Sequence, residues 1–241
     1  MENLKNTLIL SFEVGNDCNL KNMHPKCPIN IREYRKRDIP ISVEKIVESI
    51  KYAKEMKFSG YIAFHHYNEP LKYIDKILKI IEMNGDDKYL LWTNGILFDR
   101  HIKNNQFLRK FNVVYISCYY DNYREFFKKL QFEYGNIKIL DVQLDDRIHT
   151  YDRIFKNQIG CKRPIIELPI DYFGNIHLCC YDWNNEYEIG NINDSNLKEI
   201  VQSNIYQKIL LNVKKRLLDI TDCPNVCLNC DSALFTSKFQ A

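Results

Sequence analysis

Asn16-Asp17-Cys18-Asn19-Leu20-Lys21-Asn22-Met23-His24-Pro25-Lys26-Cys27-Pro28 directly follows the strand-length apolar run Thr7 to Phe12. Two thiols and an imidazole, spaced Cys-x5-His-x2-Cys, therefore sit on a loop at the C-terminal end of a first strand. Downstream, short β-rich runs alternate with amphipathic helices, a rhythm that predicts a parallel sheet with helical crossovers. The predicted strands are Thr7 to Phe12, Gly60 to Phe64, Tyr89 to Thr93, Val113 to Cys118, Ile137 to Val142 and Pro164 to Ile170. Ser42 caps a predicted helix carrying Ile46, Ile50 and Ala53 on one face. Leu71, Ile74, Leu78 and Ile81 mark a second that Gly85 stops, and Tyr123 to Leu130 form a third. Five or six β/α units are too few for a closed eight-fold barrel. The expectation is an α/β fold, a partial (β/α)5-6 TIM-like barrel, with functional residues at the C-terminal strand ends.

The cysteines divide the chain differently. Of nine, Cys18 and Cys27 lie early, Cys118 lies between, and Cys161, Cys179, Cys180, Cys223, Cys227 and Cys230 lie late. Disulfides need an oxidising compartment, but the start MENLKNTLILSFEVGNDC has no charged n-region, h-region and cleavage site, and no stretch has the length of a membrane span. A cytoplasmic location without membrane contact is expected, with thiols reduced and free for metal. The formal charge of +3, from 34 basic and 31 acidic residues, is interspersed. A nucleic-acid partner is not expected, because such surfaces show a broader basic stripe than Arg32 to Arg37.

After Ile170 the alternation stops. A hairpin, Ile165 to Ile170 and Ile176 to Cys179, turns at Phe173-Gly174-Asn175 and opens a cysteine-rich unit. A short strand near Glu186 to Gly190, a helix from about Ser195 and a final cysteine loop follow, and the domain boundary is expected near residue 155. Two hairpin thiols with a Cys-x2-Cys pair amount to four candidate metal ligands. Structural zinc uses the same knuckle and remains open on spacing alone.

At this point the chain resembles the radical S-adenosylmethionine (SAM) enzymes with a C-terminal SPASM or twitch domain, and the likeness spans nearly the whole chain. Those enzymes carry Cys-x3-Cys-x2-Cys on the loop after strand one. Here Asn22 stands at the usual middle position and His24 three before Cys27, so the resemblance implies Cys18, His24 and Cys27 as ligands of the SAM-binding cluster. Imidazole in place of thiolate raises a cluster's potential, which opposes reductive SAM cleavage. Tyr67-Asn68-Glu69-Pro70 matches the second half of the Gly-Gly-Glu-Pro-like motif after strand two, which implies SAM contacts from Asn68, Glu69 and Pro70. Thr93-Asn94-Gly95 and Ser117 fall where the family places further SAM contacts. Cys161-x12-Gly174-x4-Cys179 resembles the opening of SPASM and twitch domains, and the short tail resembles the single-cluster twitch form, implying Cys161, Cys179, Cys227 and Cys230 as auxiliary ligands with Cys223 in reserve.

The resemblance implies hydrogen abstraction from a small polar substrate, a sugar or aminocyclitol, in a dehydrogenation or epimerisation, with flavodoxin or ferredoxin as electron donor. Arg147, after strand five with Gln143 and Asp145, is the residue expected to anchor substrate. Two alternatives stand beside this: a maturase of a ribosomal peptide, disfavoured by the lack of an obvious leader-binding module, and a non-catalytic zinc-binding relative. His24→Ala is expected to lower iron from about eight to about four atoms per chain, with the auxiliary cluster retained. Unchanged iron and SAM cleavage in that variant exclude His24 as a necessary ligand.

Overall fold

The structure is a computed structural model, and it describes residues 4–31, 39–98, 102–142, 163–215 and 225–228. Its centre is a six-stranded, all-parallel sheet of β1 (Ile9–Phe12), β2 (Tyr61–Phe64), β3 (Tyr89–Thr93), β4 (Val113–Cys118), β5 (Ile137–Asp141) and β6 (Glu167–Ile170). The order is β5-β4-β3-β2-β1-β6. Five strands run in sequence order, and the sixth crosses to the other edge and pairs with β1 over Ile9↔Glu167 to Phe12↔Ile170.

The helices are α1 (Val43–Glu55), α2 (Ile74–Asn84), α3 (Arg124–Tyr134), α4 (Arg163–Ile166), α5 (Leu197–Gln202), α6 (Asn204–Lys215) and α7 (Asn225–Leu228). Ser42 caps α1 by accepting from the Lys45 N–H at 3.1 Å. α2 shows why packing overrides propensity. Isoleucine costs a helix at most about 0.7 kcal/mol relative to alanine, while burying an aliphatic side chain returns roughly 1.5–3 kcal/mol. Ile74, Ile77, Ile80 and Ile81 are all buried, so the helix forms. Gly85 then ends it at φ 84.

The sheet has two unlike faces. Leu10, Phe12, Ile62, Phe64, Leu91, Val114, Ile116, Ile137 and Leu168 alternate onto one face and join α1, α2 and α3 in a single core. The pairings place Ile9, Ser11, Ala63, Leu90, Trp92, Tyr115, Lys138 and Glu167 on the opposite face. None of these belongs to that core. Period-two side-chain direction makes this division unavoidable once one face is covered. Cys118 alternates onto the core face and is 4% exposed, so its thiol is a packing group.

The tail differs from expectation in detail. Arg163–Ile166 form one helical turn before β6, and β6 is the edge strand of the main sheet, joined to the next segment only by the isolated antiparallel bridge Ile170↔Ile176. Glu186 to Gly190 is not a strand; Asn191 makes a lone bridge to Asn175 instead. α5 begins at Leu197 behind a capping box of Asn196 and Glu199. The expected boundary near 155 lies outside the described residues. None of the described helices is long and apolar enough to cross a membrane.

The turn after β6 is held by the Asp171 carboxylate, which accepts from the Phe173 and Asn175 N–H groups at 2.9 Å each. Gly174 has φ 85, and a Cβ there would stand 2.9 Å from both Asn191 Oδ1 and Ile41 Cγ2. A left-handed conformation alone costs an L-residue about 1–2 kcal/mol. Gly174→Ala is therefore expected to lower urea-unfolding stability by at least that amount, and an unchanged midpoint would show that the turn relaxes freely.

Candidate active site at the C-terminal strand ends

The loop after β1 is clamped onto the turn after β2. The Glu69 N–H donates to the Asp17 carbonyl at 3.0 Å, and Lys72 pairs with the Asp17 carboxylate, holding it below the usual range. Gly15 lets the Tyr73 ring lie against the chain: a Cβ would fall 2.1 Å from the ring. Pro70 starts a 3-10 helix, Pro70–Tyr73, that Glu69 caps. Asn-Glu-Pro is thus a helix start as well as a candidate site motif.

Glu69 is 2% exposed, and its carboxylate takes three donors. Oε1 accepts from the Leu71 N–H at 3.0 Å and from the Thr93 hydroxyl, and Oε2 accepts from the Asn94 N–H at 2.9 Å. Burial pushes its pKa up, with the three donors opposing the rise. The Asn94 side chain carries the junction onward, donating to Asn19 Oδ1 at 2.8 Å with Cys18 Sγ 3.9 Å away. The ends of β1, β2 and β3 are thereby fastened into one site. Of the residues singled out in the sequence, Glu69, Thr93, Asn94 and Cys18 come together there, joined by Asn19, which was not singled out.

Asn68 adjoins this junction and is 8% exposed. Both its amide atoms are buried without a hydrogen-bond partner. A buried donor and acceptor left without partners call for an explanation, of which a bound polar group is one. The amino-acid end of SAM, with an ammonium and a carboxylate, has the complementary groups, so the residues fit that cofactor.

Cys18, His24 and Cys27 share a loop built from tight turns, with the His24 carbonyl accepting from the Cys27 N–H at 3.0 Å and the Asn30 amide at 2.6 Å. His24 is 7% exposed, and its ring centre lies 6.0 Å from that of Tyr119. Burial pushes the Cys18 thiol up to about 12, with the nearby Glu69 and Cys27 charges adding to the rise. Binding a metal ion there would release that proton. The three side chains are not drawn into a trio, since among the described residues no three His, Cys, Asp or Glu side chains stand ready to hold a metal ion. Ser117 lies on the face opposite the core, where its hydroxyl accepts from Trp92 Nε1 at 2.9 Å.

Of the predicted auxiliary ligands, Cys179 and Cys227 are buried, at 6% and 5% exposure. Cys161, Cys230 and the reserve Cys223 lie outside the described residues, as does Arg147. His177, two residues before Cys179, is fully buried between the Asp182 carbonyl, 2.7 Å from Nδ1, and the Asp171 carboxylate, 3.1 Å from Nε2. Cys180 Sγ lies 3.0 Å from Arg163 Nη1. The tail is tied to the barrel motif by the Tyr67 hydroxyl, which donates to the Cys180 carbonyl at 2.5 Å. Glu13, wholly buried, accepts from the Tyr67 and Tyr172 N–H groups at 3.3 Å each. Its place at the end of the apolar β1 run was a signal left unused.

A parallel partial barrel with a cysteine loop after β1 and a cysteine-rich tail is the architecture of radical SAM enzymes that carry a SPASM-type domain, and the chain has that fold. Residues 161–231 match the model of the SPASM iron-sulfur cluster-binding domain. BtrN in complex with AdoMet and 2-DOIA is similar with a TM-score of 0.72 and 19% identity, covering 93% of either chain. The anSMEcpe structure with bound AdoMet is similar at 0.56 and 14%, covering 91% of this chain and 88% of that one. SuiB of Streptococcus suis bound to precursor peptide SuiA is similar at 0.51 and 14%, covering 95% and 72%. No curated protein matches the sequence.

Glu69→Gln sets an amide N–H2 against a backbone N–H or the Thr93 hydroxyl, whichever way the amide turns. An unsatisfied buried donor costs about 1–3 kcal/mol. The variant is expected to unfold at correspondingly lower urea, and wild-type stability would show that the three-donor cradle is dispensable.

Proposed function

We propose that this protein is a radical SAM oxidoreductase with one SAM-binding and one auxiliary [4Fe-4S] cluster, acting on a small polar substrate such as a sugar or aminocyclitol. The observation that carries this reading is the junction of Cys18, Asn19, Asn94, Thr93 and Glu69 at three strand ends, with the unpartnered Asn68 amide beside it. Cys18, His24 and Cys27 would hold the first cluster, leaving one iron open for SAM. When bound, that pair supplies a 5′-deoxyadenosyl radical able to take a hydrogen atom from carbon.

The chain's own residues bind and orient. Asn68 would answer both charged groups of the SAM amino acid. Glu69 fixes the Thr93-Asn94 turn, and Pro70 begins the 3-10 helix that the Glu69 side chain caps. Cys161, Cys179, Cys227 and Cys230 would close the auxiliary cluster. Arg147 is the proposed substrate anchor, and flavodoxin or ferredoxin the proposed electron donor. The division is placed near residue 155, with 1–155 as the barrel and 156–241 as the tail that returns β6 to the sheet.

A second reading, a peptide-modifying maturase, is supported by the likeness to SuiB, whose structure holds a precursor peptide. The small-molecule reading is favoured over it by the higher similarity to BtrN, whose structure holds AdoMet and 2-DOIA. Anaerobic reconstitution of the full chain with iron and sulfide is expected to load about eight irons and, with SAM and a reductant, to release 5′-deoxyadenosine. A colourless protein that purifies with zinc, takes up no iron and leaves SAM intact would overturn this reading.

A further inference from the structure

The sheet face opposite the core carries a second cluster of polar groups. Glu167 on β6, Ser11 on β1 and His65 just beyond β2 meet Arg163 of α4. Ser11 Oγ donates to Glu167 Oε1 at 3.3 Å, His65 Nε2 lies 3.5 Å from the same oxygen, and Arg163 Nη1 lies 3.6 Å from Oε2. Ser11 is 1% exposed and Glu167 6%. Burial pushes the Glu167 pKa up, but His65, Arg163 and Ser11 outweigh it and hold the group ionised.

The contacts around Glu167 leave its carboxylate incompletely met. Taking a carboxylate out of water is recovered only through short, well-aligned bonds of about 2.7–3.0 Å, and all three contacts here are longer. A carboxylate offers about four acceptor sites, so capacity remains. His65 Nδ1 is also buried without a hydrogen-bond partner. Beside His65 stands an aromatic wall, with Trp92 at 5.4 Å between ring centres and Tyr115 at 5.1 Å from Trp92. Trp92 is steered by its bond to Ser117.

We infer that Glu167, His65 and Ser11 form a subsite for adjacent neutral hydroxyl groups of a small ring, whose C–H face lies against Trp92. Charge decides the class. An anion would meet the Glu167 carboxylate, and a cation at this point would find that carboxylate already balanced by Arg163. Both free positions accept, because the His65 Nε2–H is turned to the ionised Glu167 and leaves Nδ1 as a lone pair, so adjacent hydroxyls would donate one to Glu167 and one to His65 Nδ1. This rests on the proposed function only in that the ring is the substrate of that site; binding does not depend on the clusters.

The test uses the full-length chain in a Trp183→Phe background, which leaves Trp92 as the single indole, since the chain has two tryptophans. Saturable change of Trp92 fluorescence is expected with myo-inositol and with glucose, and none with cyclohexanol. Glu167→Gln should weaken myo-inositol at least tenfold, and Ser11→Ala several-fold with unchanged thermal unfolding, which keeps the test valid should Glu167→Gln fold poorly. No response to either polyol, an equal response to cyclohexanol, tighter binding of glucuronate than glucose, or affinity unchanged in both variants would overturn the subsite. Iron content and SAM cleavage are measured on the same preparations. Loss of polyol binding with both intact removes the subsite alone, and polyol binding by a protein that takes no iron removes the proposed function alone.

Discussion

The Glu69 carboxylate is the point on which the strand ends depend. A buried carboxylate must be met by donors or become protonated, and here the donors come from the turn after β2 and the end of β3. Because the Glu69 N–H is bonded to the Asp17 carbonyl, the loop bearing Cys18 is fastened to the same point. One residue, through its side chain and its backbone N–H, thus sets the spacing of three loops from different parts of the chain. Asn68 stands next to it with its amide unpaired, so rigidity and ligand capacity occupy adjacent residues.

The two faces of the sheet divide the labour further. A continuous apolar core on the helix side supplies stability, which leaves the opposite face free to carry Ser11, Trp92, Tyr115 and Glu167. Those residues would weaken a core. Arg163 joins this face to the tail, since its guanidinium lies between Glu167 and Cys180. The proposed ring subsite and the proposed auxiliary centre are consequently neighbours in structure although their residues look unrelated in sequence.

Much of this was legible in the chain. Apolar runs such as Tyr89 to Thr93 and Val113 to Cys118 are strands as predicted, because a parallel strand covered by helices needs a dense apolar run. Cys18, Glu69 and Thr93-Asn94 were recognisable because they follow strand ends directly. The place of β6 was not legible: nothing in Glu167 to Ile170 says which edge the strand will join, since that depends on pairing across more than 150 residues. Glu186 to Gly190 was expected as a strand, but Ile189 there packs as a buried loop residue. The Glu167 cluster was hidden for the same reason as β6, although a lone charge inside an apolar run was a usable sign.

The crossing of β6 to the β1 edge also bears on how the chain behaves when incomplete. Until β6 is in place, Ile9–Phe12 present unpaired backbone groups along an apolar strand, a template for the same strand of another molecule. During synthesis that edge waits for residues more than 150 positions later. β6 is thus a guard against self-association as well as a strand of the sheet, and a chain released without it would be sticky before it was inactive.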